Sequence, residues 1–129
     1  MKLFRNVSII FISVILLGAI AFCCMPTEFR GHRLWRASCD GDIYRVRLLI
    51  LLGADVNYTC GSGSPLHAAA YNGDVKLMMI LLSHGAIVDK EAKFGITPLY
   101  EARSNRHIEA EQLLLSHGAN PDTSHIQPP

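Results

Sequence analysis

Two patterns of apolar positions divide the chain. From Val7 to Met25 apolar residues run almost unbroken, with only Ser8 and Ser13 polar, and Pro26 closes the run. Beyond it, apolar residues recur at helical spacing: Ile43, Val46, Leu49, Ile50, then Val75, Met78, Leu81, Leu82. That spacing marks one buried face of an amphipathic helix, and it predicts helices starting at Ile43, Val75 and Ile108. A shorter helix precedes each. Ser64 and Thr97 offer side-chain oxygens to cap a helix start, and Pro65 and Pro98 fit the first helical position. Gly41 and Gly73 permit a tight turn inside each helix pair. Gly53, Gly85 and Gly118 stand where a residue just past a helix end turns left-handed. The links between pairs then form hairpin-like turns, using Gly61 and Gly63 in one and Gly95 in the other.

The elements repeat in register. Leu34-Trp35-Arg36-Ala37 leads through Gly41-Asp42 to Gly53-Ala54-Asp55-Val56-Asn57. Ser64-Pro65-Leu66-His67-Ala68-Ala69 leads through Gly73-Asp74 to Gly85-Ala86-Ile87-Val88-Asp89. Thr97-Pro98-Leu99-Tyr100-Glu101-Ala102 leads to Gly118-Ala119-Asn120-Pro121-Asp122. Gly53 to Gly85 spans 32 residues and Gly85 to Gly118 spans 33. This period, with a Thr-Pro-Leu-His-like core, resembles the ankyrin repeat. The resemblance covers about Arg33 to Asp122. It implies an all-α repeat solenoid of about three stacked helix-turn-helix repeats with hairpin-like loops. The expected organisation is a leader over 1–25, a linker over 26–32, a repeat domain over 33–124 and a tail over 125–129. The repeats fall at about 33–57, 62–90 and 95–122. One such unit cannot bury its own apolar face, so the shared core forms only by stacking.

The departures between copies are informative. In the first copy Trp35 takes the histidine slot and no Ser/Thr-Pro precedes it, which suits an N-terminal cap. In the third, Arg106 takes the glycine slot, and Glu111 takes the slot of Val46 and Met78. Glu109, Glu111 and Gln112 make the start of that helix polar, as a solvated C-terminal cap requires. Leu51 and Leu52 occupy the slots held elsewhere by Ser83-His84 and Ser116-His117. The helix Ile43 to Leu52 is therefore apolar nearly all round, which predicts a covering for Leu51 and Leu52. The segment Pro26 to Arg33, a partner protein or a membrane surface could supply it.

The leader changes the picture of where the domain works. Lys2 and Arg5 precede the apolar run, the charge-then-apolar order of an export signal. Ala19-Ile20-Ala21 fits a small-x-small cleavage pattern before Phe22. The run over 7–25 also reaches the length of a transmembrane anchor, and Cys23 or Cys24 offers a thiol for lipidation. Arg30, Arg33 and Arg36 follow closely, so flanking charge does not choose an orientation. The expected location is exported, periplasmic or secreted, or membrane-anchored, with a cytosol-facing anchor as the remaining orientation. Net charge is +1, and there is no basic excess of the kind nucleic acid requires.

A search for chemistry returns little. The chain has no HExxH, no paired CxxC and no glycine-rich phosphate loop. Ser104 and His107 lie one turn apart with no acid to complete them. His67 sits where the resemblance implies a loop-bracing hydrogen bond, and His84 and His117 recur at helix C-termini, where an imidazole suits the dipole. No enzyme, cofactor or metal is expected. Cys39 and Cys60 are placed far apart by the resemblance and are expected as free thiols. The resemblance implies partner binding on a concave face made of loop tips and the first helix of each repeat. By position that face holds Trp35, Arg36, Tyr58, Tyr71, Asn72, Lys93, Phe94 and Arg103, with Glu101 beside them; aromatic and arginine side chains are the usual anchors. The expected function is a non-catalytic module binding another protein. The alternative is an architectural subunit of a membrane-associated assembly.

Overall fold

The computed structural model describes residues 2–24 and 26–122. The tail expected at 125–129 lies outside the described residues. Helix α1 spans Lys2–Cys23, α2 Thr27–Cys39, α3 Ile43–Leu51, α4 Pro65–Asn72, α5 Val75–Ser83, α6 Pro98–Ser104 and α7 Ile108–Ser116. A single 3-10 turn covers Lys93–Gly95. Among the described residues there is no strand; one isolated bridge joins Cys60 and Gly63. The starts of α3, α5 and α7 coincide with the first apolar residue of each periodic run.

Helices pair as α2 with α3, α4 with α5 and α6 with α7. The first helices of the pairs, α2, α4 and α6, stack in one row, and α5 packs on α7 in the other. The core runs through this stack from Leu34 and Val46, by Leu66, Leu77, Met78 and Leu81, to Leu99, Ala110 and Leu114, all fully buried. Local chemistry fixes the helix starts. Asp42 Oδ1 accepts from the Arg45 amide at 3.0 Å and Asp74 Oδ1 from the Leu77 amide at 3.0 Å, satisfying donors that a helix leaves open at its first turn. Thr97 Oγ1 accepts from the Tyr100 amide at 3.3 Å.

Hydrogen bonds also stitch each repeat to the next. Asn57 Nδ2 donates to the Gly85 carbonyl at 2.9 Å, and its Oδ1 accepts from the Ile87 amide at 2.8 Å. One repeat on, Asp89 accepts from the Asn120 amide at 3.0 Å. Asn72 Nδ2 donates to the Cys39 carbonyl at 3.0 Å, and His107 Nε2 to the Tyr71 carbonyl at 3.0 Å.

Gly73 shows how tightly the turn is built. It has φ +68, and a Cβ there would meet the His107 ring at 2.6 Å. Gly85 has φ +86 with nothing within 4 Å of the same imagined atom. Both substitutions to alanine incur the left-handed penalty of about 1–2 kcal/mol, but only Gly73→Ala must also displace His107 from Tyr71. Urea unfolding of the two variants is expected to show the larger loss for Gly73→Ala; equal losses would refute the steric part of this account.

The N-terminal end differs from the sequence expectation. Residues 27–32, expected within a linker, are the opening turns of α2. Pro26 stands at the N-cap and Glu28 in the first turn, where an acid complements the helix dipole. This extension reaches back over the first repeat: Arg30 Nη1 donates to the Leu52 carbonyl at 2.8 Å. It does not cover Leu51, which remains 82% exposed. Leu51→Ser should therefore shift stability by less than about 0.5 kcal/mol, as surface substitutions do. A loss above about 1 kcal/mol in thermal unfolding would mean that the side chain is buried in the native particle.

The side chains of α1 from Val7 to Ala21 are all exposed. Among the described residues no helix is long and apolar enough to cross a membrane. Gly18 and Ala19 approach the first repeat and, with Arg33, Arg36, Arg45, Leu48 and Leu52, line a cavity of about 730 Å³.

Candidate functional site

The stacked first helices and the first loop enclose a groove of about 400 Å³, lined by Trp35, Cys39, Ser62, His67, Ala68, Tyr71, Asn72 and Glu101. Its shape follows from the repeat. Arg36, Ala68 and Glu101 are equivalent positions in successive copies, so the smallest side chain falls in the middle. Trp35 from α2, Tyr71 from α4 and Glu101 from α6 stand around it.

The first of the two inter-repeat turns contributes Ser62 to the groove, and the second is tied to it through His67. The first is closed by Cys60 and Gly63, whose amides each donate to the other's carbonyl, at 3.2 and 2.9 Å. The second is closed by the Ala92 amide on the Ile96 carbonyl at 2.8 Å, with Phe94 at φ 63 and Gly95 at φ 73. His67 joins the groove floor to this second turn. Its Nδ1 accepts from the Ser64 amide at 3.1 Å and from the Ser64 hydroxyl at 2.8 Å, which leaves Nε2 as the donor to the Ile96 carbonyl at 3.0 Å. Burial pushes the His67 pKa below its ordinary value; the bond to Ile96 opposes this and nearby Lys90 adds to it. The ring is therefore a neutral brace.

Three of the eight residues expected to bind a partner come together here: Trp35, Tyr71 and Asn72. Tyr71 is 57% exposed. Trp35 is half-buried beside His32, ring centroids 5.9 Å apart, and its Nε1 is buried without an acceptor. Asn72 carries a structural bond as well, to Cys39. Lys93 and Phe94 belong to the second turn, where Phe94 is 57% exposed. The remaining three are placed elsewhere. Arg36 lines the cavity at the N-terminal end. Tyr58 is folded against α2, so close to Gly31 that a Cβ there would lie 2.5 Å from its ring. Arg103 ties the last repeat together, its Nε donating to Glu111 Oε1 at 2.8 Å and its Nη1 to the Pro121 carbonyl at 2.9 Å.

Sequence reasoning missed Cys39, Ser62 and Ala68 as lining residues; the column Arg36, Ala68, Glu101 was the signal for the last. Cys39 and Cys60 are free thiols. Burial first, then the charges of Cys60 and Asp40, raise the Cys39 thiol above its usual range, against an opposing Arg36. So raised, it is a poor nucleophile at neutral pH. Among the described residues no group of three or more His, Cys, Asp or Glu could hold a metal ion.

Stacked helix pairs with protruding turns beside a continuous groove define an α-solenoid of the binding-scaffold class. The chain belongs to the ankyrin-repeat family: residues 34–125 match the family model described as ankyrin repeats (3 copies). Proteins of this family generally act as non-catalytic modules of protein–protein interaction. No curated protein matches the chain.

Proposed function

We propose that the chain is an exported binding protein whose groove, bounded by α2, α4, α6 and the first turn, engages one partner protein. The observation that carries this reading is the clustering of Trp35, Tyr71 and Asn72 around one groove, with the Tyr71 ring exposed. Aromatic side chains at the centre of a concave surface are the residues that most often anchor an interface. The order of Lys2, Arg5 and the following apolar run supports delivery out of the cytosol by the leader, and the exposed apolar side of α1 is the part that would hold a tethered form to a membrane.

A photo-crosslinking amino acid at Tyr71 tests the binding face, with Met79, half-exposed on α5, as the control. The expected result is one defined adduct from Tyr71 and none from Met79. Equal labelling from both positions would defeat the assignment. Intact mass and cell fractionation test delivery: a soluble species beginning at Phe22 supports export by cleavage, and a membrane-bound species retaining Met1 supports a tether.

A second reading, an assembly subunit, is favoured by the N-terminal end of the stack. Tyr44, Leu48 and Leu51 are exposed there, on helix α3, beside the cavity at the α1 end. Self-association abolished by Leu48→Ser together with Leu51→Ser would favour it over a one-to-one binder.

A further inference from the structure

We propose that the groove receives one basic side chain, an arginine or lysine, of the partner protein, held between the aromatic walls of Trp35 and Tyr71 and the carboxylate of Glu101. This rests on the groove being the binding face.

The argument starts from Glu101. Its carboxylate lines the groove and is half-buried in the groove wall, and burial raises its pKa above the ordinary carboxylate value. A partly desolvated carboxylate attracts an incoming cation more strongly than one fully in water does. Arg103 is committed to Glu111 and to Pro121. Lys93 Nζ stands at the rim by the first turn, 3.5 Å from where a Gly61 Cβ would be and next to Ser62 of the lining.

The rest of the groove suits the same guest. Ala68 leaves room between Trp35 and Glu101. Tyr71 presents an exposed ring, and aromatic faces attract ammonium and guanidinium groups. A guanidinium would add paired hydrogen bonds to the carboxylate. An acidic side chain would meet Glu101 with like charge, and an apolar one would leave the carboxylate without a partner. The cavity of about 400 Å³ accommodates one long side chain, and the stem of an arginine or lysine packs well against aromatic surface.

The chain contains a single tryptophan, so the indole N–H of Trp35 gives one unambiguous NMR resonance. The full-length chain in detergent micelles is titrated with acetylated pentapeptides that differ only in the central residue: arginine, lysine, citrulline, norleucine or glutamate. The arginine and lysine peptides are expected to shift the Trp35 resonance, and the citrulline, norleucine and glutamate peptides to leave it in place. Glu101→Gln is expected to weaken the arginine peptide roughly tenfold or more, as loss of a partly buried charge partner does, with the amide spectrum otherwise unchanged. Tyr71→Leu is a second variant, expected to weaken it less. Citrulline binding as well as arginine, an unaffected Glu101→Gln, or no shift with any peptide overturns the proposal. If crosslinking from Tyr71 still yields a defined adduct in Glu101→Gln, the binding face stands and only the basic guest falls. If no adduct forms in either protein, the face itself is wrong.

Discussion

Leu81→Ala is expected to cost about 2–5 kcal/mol, the range for emptying a buried leucine site. Total stability of a small domain is only about 5–15 kcal/mol, so much of the folded population is at stake. Leu81 is fully buried on α5, which packs on α4 within its own repeat and on α7 of the next. In a stacked array stability is close to a sum of repeat terms and nearest-neighbour interface terms. A cavity in the middle repeat therefore weakens a unit that both outer repeats need. Leu114 is equally buried but belongs to the terminal repeat, which has one neighbour. Leu114→Ala is expected to cost less, because fewer contacts surround the site and the end of the array relaxes more easily. Urea unfolding followed by far-UV circular dichroism separates the two, with the midpoint reporting stability and the slope reporting whether unfolding remains a single step. A Leu81→Ala midpoint equal to that of Leu51→Ser, at an exposed position, would sink the account.

Much of this architecture is legible in the sequence because each element announces itself more than once. The starts of α3, α5 and α7 are marked by an apolar face, and for the first two by Asp42 and Asp74 at the cap. The repeat then states the pattern again about 33 residues later. What does not repeat is harder to see. The extra turns of α2 precede the repeat unit, so self-similarity says nothing about them. Gly31, within the segment read as a linker, was the clue, since a glycine inside a helix invites close approach, but Tyr58 as the approaching group emerges only from the fold. The pair Arg103 and Glu111 crosses a turn between two helices, beyond the spacing at which helical ion pairs form. The Asn57 clamp on the next repeat was within reach: Asp89 stands at the equivalent position and accepts from Asn120 as Asn57 accepts from Ile87. The groove was legible in its aromatics and not in its room, because Ala68 matters for what it leaves open.

The pH dependence of stability should be set by His67 as the solution turns mildly acidic. The neutral ring accepts at Nδ1 from Ser64 and donates at Nε2 to Ile96. Protonation places a hydrogen on Nδ1, facing the Ser64 amide, so that amide loses its acceptor while the Ser64 hydroxyl can turn to accept and the bond to Ile96 survives. The folded-state pKa lies below the unfolded value of about 6.5, and burial is the leading cause. The unfolded chain therefore binds the proton more readily. The stability contributed by His67 is complete above the unfolded pKa and is lost as pH falls from there through the folded pKa. One proton limits the slope to about 1.4 kcal/mol per pH unit. Glu101 works in the opposite sense, since its raised pKa favours proton uptake by the folded state, so the comparison is cleanest in a Glu101→Gln background. His67→Ala should cost about 2–4 kcal/mol at neutral pH, from lost bonds of about 1 kcal/mol each and a buried Ser64 amide left unpaired. His67→Gln keeps an acceptor at the third helical position, able to reach back to the cap amide, but cannot titrate. It should recover part of that loss and flatten the stability curve between about pH 7 and pH 5. A wild-type curve already level over that range would mean that the fold accommodates the charged ring, and that the brace between Ser64 and the second turn does not depend on a neutral imidazole.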